Sequence, residues 1–169
     1  HGSYTASRVK GQLTVERKVL QDVTDKSIMG HRQHYLNFHP AQIFVEVENA
    51  GLTYDLSVGY NDRSGPRAGV MYPYRPYNIE KRKPHLIWEI PFVVMDTTLA
   101  TTYRLPATKI LEHVQSVLNR QQGCVALIWH QEQAGGLLDP GFDDAYAQLM
   151  DWAIQKGARL TPPGAILAE

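Results

Sequence analysis

Six consecutive apolar residues, Cys124-Val125-Ala126-Leu127-Ile128-Trp129, run directly into His130. A run this short, entered from Gly123 and left through polar residues, reads as a buried strand rather than a helix. Just upstream, Pro106 opens a segment in which Ile110, Leu111, Val114 and Leu118 recur at helical spacing. That helix is expected to stop at Gly123. A helix feeding a buried strand is the repeating unit of a parallel sheet or barrel, and it sets the frame for the rest of the chain.

The same alternation extends upstream. Arg8 to Val23 reads as a helix with Val9, Leu13, Val19, Leu20 and Val23 along one stripe. Ser27 to Arg32 reads as a short strand, and Pro40 to Ala50 as a helix closed by Gly51. Thr53 to Val58 is a second strand. Residues 59–84, crowded with Gly, Pro, Tyr and Arg, form one long loop, too long for a plain connection and so expected to be functional or a lid. A buried strand, Leu86-Ile87-Trp88-Glu89-Ile90, ends at Pro91, and a last helix spans about Asp143 to Gln155. There is no repeat and no low-complexity linker, so residues 1–169 are expected to form one α/β domain.

Composition removes several function classes. With 43% hydrophobic and 20% charged residues the chain can build a core. Lys plus Arg (17) balance Asp plus Glu (17), which excludes a generally basic nucleic-acid binder. Arg63, Arg67, Arg75, Lys81, Arg82 and Lys83 make a local positive patch at most. Cys124, the only cysteine, excludes a disulfide framework and a cysteine zinc site. No apolar run approaches the roughly 20 residues of a membrane span. The chain opens on His1 without a signal peptide, which suggests the cytoplasm or the cell envelope.

Polar residues follow the apolar strands: Arg32-Gln33-His34-Tyr35, Asp55, Glu89, Asp96 and His130. In a parallel sheet the strand C-termini are where a site forms. His130, delivered by six apolar residues, suits a general acid or base near neutral pH; a hydrogen-bonded strand-end histidine is the plainer alternative. Arg32-x-His34-Tyr35 suits carboxylate binding or orientation of a catalytic group, with a solvated turn as the alternative. Tyr72-Pro73-Tyr74-Arg75-Pro76-Tyr77 offers flat aromatic faces for sugar rings, or a loop packed by its own prolines.

These motifs together resemble a family. Gly30-His31-Arg32-Gln33-His34-Tyr35-Leu36-Asn37-Phe38, Gly51 to Tyr60 and Arg67-Ala68-Gly69 are similar to bacterial polysaccharide deacetylases of the NodB-homology type, carbohydrate esterase family 4. So are Tyr74-Arg75-Pro76-Tyr77, Trp88-Glu89-Ile90-Pro91, Val94-Met95-Asp96 and Leu127-Ile128-Trp129-His130. The resemblance implies a distorted, incomplete (β/α) barrel and metal-dependent removal of N- or O-acetyl groups from a carbohydrate. It implies His130 as catalytic acid, oriented by Asp96 or Glu89, and Arg32 as the residue that orients the base. Tyr35, Tyr74, Tyr77, Trp88 and Glu89 would then meet the sugar, the Tyr35 backbone serving the oxyanion. The implied cofactor is a divalent metal, zinc by the likeness, with His1 as one ligand.

The likeness has gaps. The family's first motif, an aspartate pair giving the base and a metal ligand, would precede His1, and Thr5 stands where a second metal histidine is expected. His34 replaces the family's proline and is the candidate for the lost ligand. The chain therefore reads as the C-terminal part of a deacetylase domain, enzymatic if an upstream segment or a second chain completes the barrel. The alternative is a carbohydrate-binding relic without turnover. An N-terminal His1 that chelates copper, as in lytic polysaccharide monooxygenases, is disfavoured because those enzymes resemble β-sandwiches.

Overall fold

The structure, a computed structural model, describes residues 1–119 and 123–167. Its elements in chain order are α1 (Gln12–Thr24), β1 (Gly30–His31), α2 (Pro40–Asn49), β2 (Tyr54–Asp55), β3 (Tyr77–Asn78), β4 (Lys83–Pro84), β5 (Trp88–Glu89), β6 (Phe92–Met95), α3 (Ala107–Leu118), β7 (Ala126–Ile128), α4 (Gln131–Ala134), α5 (Phe142–Gln155) and α6 (Pro163–Ile166). A 3-10 turn lies at His34–Leu36 and a π-helical turn at Thr98–Thr102. With 41% helix and 12% strand the fold is mixed α/β, and its strands form no closed barrel among the described residues. The chain divides into two compact units, one of His1–Val58, Tyr72–Pro91 and the segment from Pro163, the other of Gly59–Met71 and Phe92–Pro162.

The first unit is built on a parallel sheet in the order β1-β2-β5. Its register places Gly30, Tyr54 and Trp88 in one row and His31, Asp55 and Glu89 in the next. Gly30 is required there, because a Cβ would lie 2.1 Å from the Tyr54 ring. Ile43, Val47, Leu52 and Ile87 form the core beneath, joined by Leu13 of α1. Three hydrogen bonds fix α1 in place. Arg17 donates to the carbonyls of Ile28 (2.9 Å) and Ala50 (2.8 Å), and Glu46 of α2 accepts the Gly11 N–H at 2.7 Å.

Two expectations fail in this unit. The first helix begins at Gln12, after Gly11 at φ 78°, so Val9 falls in a turn. Only Leu13 of the expected stripe is buried; Val9, Val19, Leu20 and Val23 are exposed, since α1 meets α2 along one edge. The segment 59–84 is not one loop either. Residues 59–71 belong to the second unit, while β3 and β4 pair antiparallel as a hairpin in the first.

In the second unit β6 and β7 pair in parallel, with an irregularity between Phe92 and Val94. A bulge of this kind bends the strand and re-aims its end, here toward Asp96. Val94, Ile110, Val114, Phe142 and Leu149 form the core, with α3 packed on α5. Helix α3 ends at Leu118, short of the expected Gly123, and residues 120–122 lie outside the described residues. The strand expected over Leu86–Ile90 is only Trp88–Glu89, with Leu86 78% exposed, and a second strand starts directly after Pro91. Among the described residues no helix is long and apolar enough to cross a membrane.

Candidate functional site

In the second unit, β7 and the turn after it carry His130, and the end of β6 carries Asp96. The two side chains meet at 2.7 Å, Nδ1 to Oδ1. Asp96 is wholly buried, whereas the His130 side chain is 45% exposed. Asp96 also accepts the backbone N–H of His130 through Oδ2 and that of Thr97 at 2.7 Å. Its carboxylate is thus held by three donors while one imidazole edge faces solvent. A carboxylate on Nδ1 keeps the proton there and leaves Nε2 free to exchange one. Of the two carboxylates that the sequence offered as partner for His130, the structure selects Asp96.

The first unit assembles a second group from the in-register row of β1, β2 and β5. Asp55 Oδ1 accepts from His31 Nδ1 at 2.6 Å and from Ser57 Oγ at 2.8 Å, and Oδ2 from the Ser57 N–H at 3.1 Å. Burial would raise the Asp55 carboxyl, but these donors hold it below the usual carboxylate range. Glu89 is pushed well above that range, first by burial and then by the Asp55 charge and a hydrogen bond shared with it. The Val58 N–H donates to Glu89 Oε1 at 2.8 Å, while Oε2 is buried with no donor. Arg32 is the nearby cation: burial lowers its pKa, and Asp55 and Glu89 oppose that shift. Glu89 is therefore wholly buried rather than laid out toward a sugar.

His1 and His34 come together, their rings edge-to-face with centroids 4.7 Å apart. The His34 ring also meets Tyr35 at 4.3 Å. Tyr35 and Leu36 both take left-handed conformations, φ 55° and 52°. Such strain in non-glycine residues costs about 1–3 kcal/mol each and concentrates at functional sites. Tyr35 is 76% exposed, and its N–H donates to no group among the described residues. The imidazole pair could offer at most two nitrogens, where a catalytic zinc site takes three ligands from the protein. Among the described residues no cluster of three His, Cys, Asp or Glu is placed to hold a metal ion.

The aromatic segment divides by exposure. Tyr77 is exposed on the β3–β4 hairpin, whereas Tyr74 bridges to Glu89 through two backbone hydrogen bonds, 3.0 and 2.8 Å. Burial, followed by the Glu89 and Asp55 charges, pushes the Tyr74 phenol above its usual range. Trp88 carries the Arg75 guanidinium on one face, 4.7 Å from its ring centre. His31 and Ser57 are the members of these groups that sequence reasoning did not single out. The signal was available, since His31 closes a strand just as Asp55 and Glu89 do, but only the strand register joins them. No protein-family model matches the chain, and no curated protein matches it either.

Proposed function

We propose that this chain carries the acid–base part of a hydrolase that removes acetyl groups from a carbohydrate, in an incomplete (β/α)-barrel arrangement. The observation that carries the reading is the wholly buried Asp96 on Nδ1 of the half-exposed His130. In such a hydrolysis water adds to the acetyl carbonyl, and the bond to the sugar nitrogen or oxygen breaks as that atom gains a proton. His130 Nε2 donates that proton, and Asp96 stabilises the imidazolium before it is spent. In the first unit, His1 and His34 are the imidazoles that could hold a divalent metal, zinc by the family likeness, which would polarise a carbonyl and activate water.

A second reading, carbohydrate binding without turnover, is favoured by the lack of a three-ligand cluster among the described residues. The test is acetate release from an N-acetylated chitooligosaccharide and from an O-acetylated xylan, with zinc present, alongside metal analysis. Release that disappears in His130→Ala, with about one zinc per chain, supports the hydrolase. Oligosaccharide binding without acetate or bound zinc supports the second reading and overturns the first.

A further inference from the structure

A cavity of about 330 Å³ opens at the start of α2 in the first unit. That is within the roughly 300–1,000 Å³ of small-molecule sites. His39, Phe44, Tyr77, Asn78, Ile79 and His85 contribute to its wall. Three features give it a preference for negative charge. The ten-residue helix α2 starts with no side-chain cap from His39 and no acid in its first turn, so its positive pole is uncompensated. His85 is buried, its side chain only 3% exposed, and its Nδ1 lies 2.9 Å from Glu48 Oε2 without a hydrogen bond. Its Nε2 has no partner among the described residues. Asn78, also buried, spends Oδ1 on the Lys81 N–H at 2.8 Å and keeps its amide donors.

Apart from Glu80 on the hairpin turn, the remaining wall is apolar. The Phe44 ring packs against His85 at 5.7 Å, and Tyr77 and Ile79 are exposed on the hairpin opposite. We propose that this cavity binds a small organic carboxylate with a compact aromatic or branched body. The carboxylate sits at the α2 terminus against His85 and Asn78, and the body lies between Phe44 and Tyr77. The charged and titratable groups near His85 are Glu48 from α2, His39 before it, and Glu80 and Lys81 from the hairpin turn. The site uses neither Asp96 nor His130, and shares with the hydrolase reading only Tyr77.

The experiment titrates the full chain with benzoate, phenylacetate and isovalerate, and with benzyl alcohol as the neutral control, by calorimetry at pH 7. At least one carboxylate is expected to bind saturably, and benzyl alcohol at least tenfold more weakly. Ile79→Asp, at a position 83% exposed, places a negative charge on the rim and should weaken binding tenfold or more with the melting temperature unchanged. His85→Leu, which removes the imidazole donor, should weaken carboxylate binding tenfold or more. Failure of all three carboxylates to saturate, equal binding of benzyl alcohol, or full affinity in Ile79→Asp overturns the proposal.

Discussion

Asp55 and Glu89 lie opposite each other in the parallel register of β2 and β5, both wholly buried, and their surroundings push them in opposite directions, Asp55 below and Glu89 well above the usual carboxylate range. Asp55 keeps the charge because His31 and Ser57 donate to it. Glu89, with one N–H donor and a charged neighbour, keeps the proton.

Stability should therefore fall as pH rises above 4.5, the ordinary value for Glu89. From there upward the unfolded chain releases this proton while the folded chain retains it, until the raised folded value is passed. Asp55 works in the opposite sense: its contribution is present above its ordinary value and is lost as pH falls through its lowered one. Glu89→Gln keeps a neutral partner and removes the titration. Urea midpoints at pH 5 to 8 should show wild type losing ground to Glu89→Gln, by up to about 1.4 kcal/mol per pH unit. Parallel profiles would mean that Glu89 does not hold the proton.

At Asp96 and His130 the two substitutions should separate activity from stability. His130 is half-exposed, so His130→Ala should leave the fold within about 1 kcal/mol while removing the roughly 10²–10⁴-fold contribution of a general acid. Asp96 is wholly buried beneath three donors. Asp96→Asn should cost about 1–3 kcal/mol in stability as well as activity, because an amide cannot satisfy all three. Acetate release and thermal unfolding measured on both variants check the split. A stable, fully active His130→Ala would remove His130 from the reaction.

The helices and strand cores were legible where the sequence carries strong local signals. Pro40 and Pro106 mark helix starts to within a residue, and the run before His130 delivers it as a strand does. The features that stayed hidden depend on pairing. His31, Asp55 and Glu89 are far apart in sequence, and only the register of three two-residue strands puts them in one row. The stripe on α1 misled for a related reason: spacing shows which residues share a face, but not how much of that face a neighbour covers. The choice between Asp96 and Glu89 as the partner of His130 likewise waited on which strand lies beside β7.

Gly30 tests the register from the backbone side. A Cβ at Gly30 would lie 2.1 Å from the Tyr54 ring, its partner across β1 and β2. Gly30→Ala should destabilise the chain by about 1–3 kcal/mol through overpacking. Combining it with Tyr54→Ala should recover much of that loss relative to Tyr54→Ala alone, since the clash is then gone. A double-mutant cycle with no coupling would indicate that these residues are not neighbours.

The two tyrosines of the aromatic segment should fail in different ways. Tyr77 is 59% exposed, so Tyr77→Ala removes an aromatic face from solvent without opening the core. If that face meets a sugar ring, oligosaccharide affinity should fall about two- to tenfold with the melting temperature unchanged. Tyr74 is bound through its backbone to Glu89, and its ring is partly buried above the Asp55–Glu89 pair. Tyr74→Ala should lower the melting temperature and, by admitting water to that pair, flatten the pH dependence of stability that Glu89 confers. Calorimetry with a chitooligosaccharide and thermal melts across pH separate the two roles. Unchanged affinity in Tyr77→Ala would remove stacking from the binding model, and an unchanged pH profile in Tyr74→Ala would show that its ring does not shield the carboxylates.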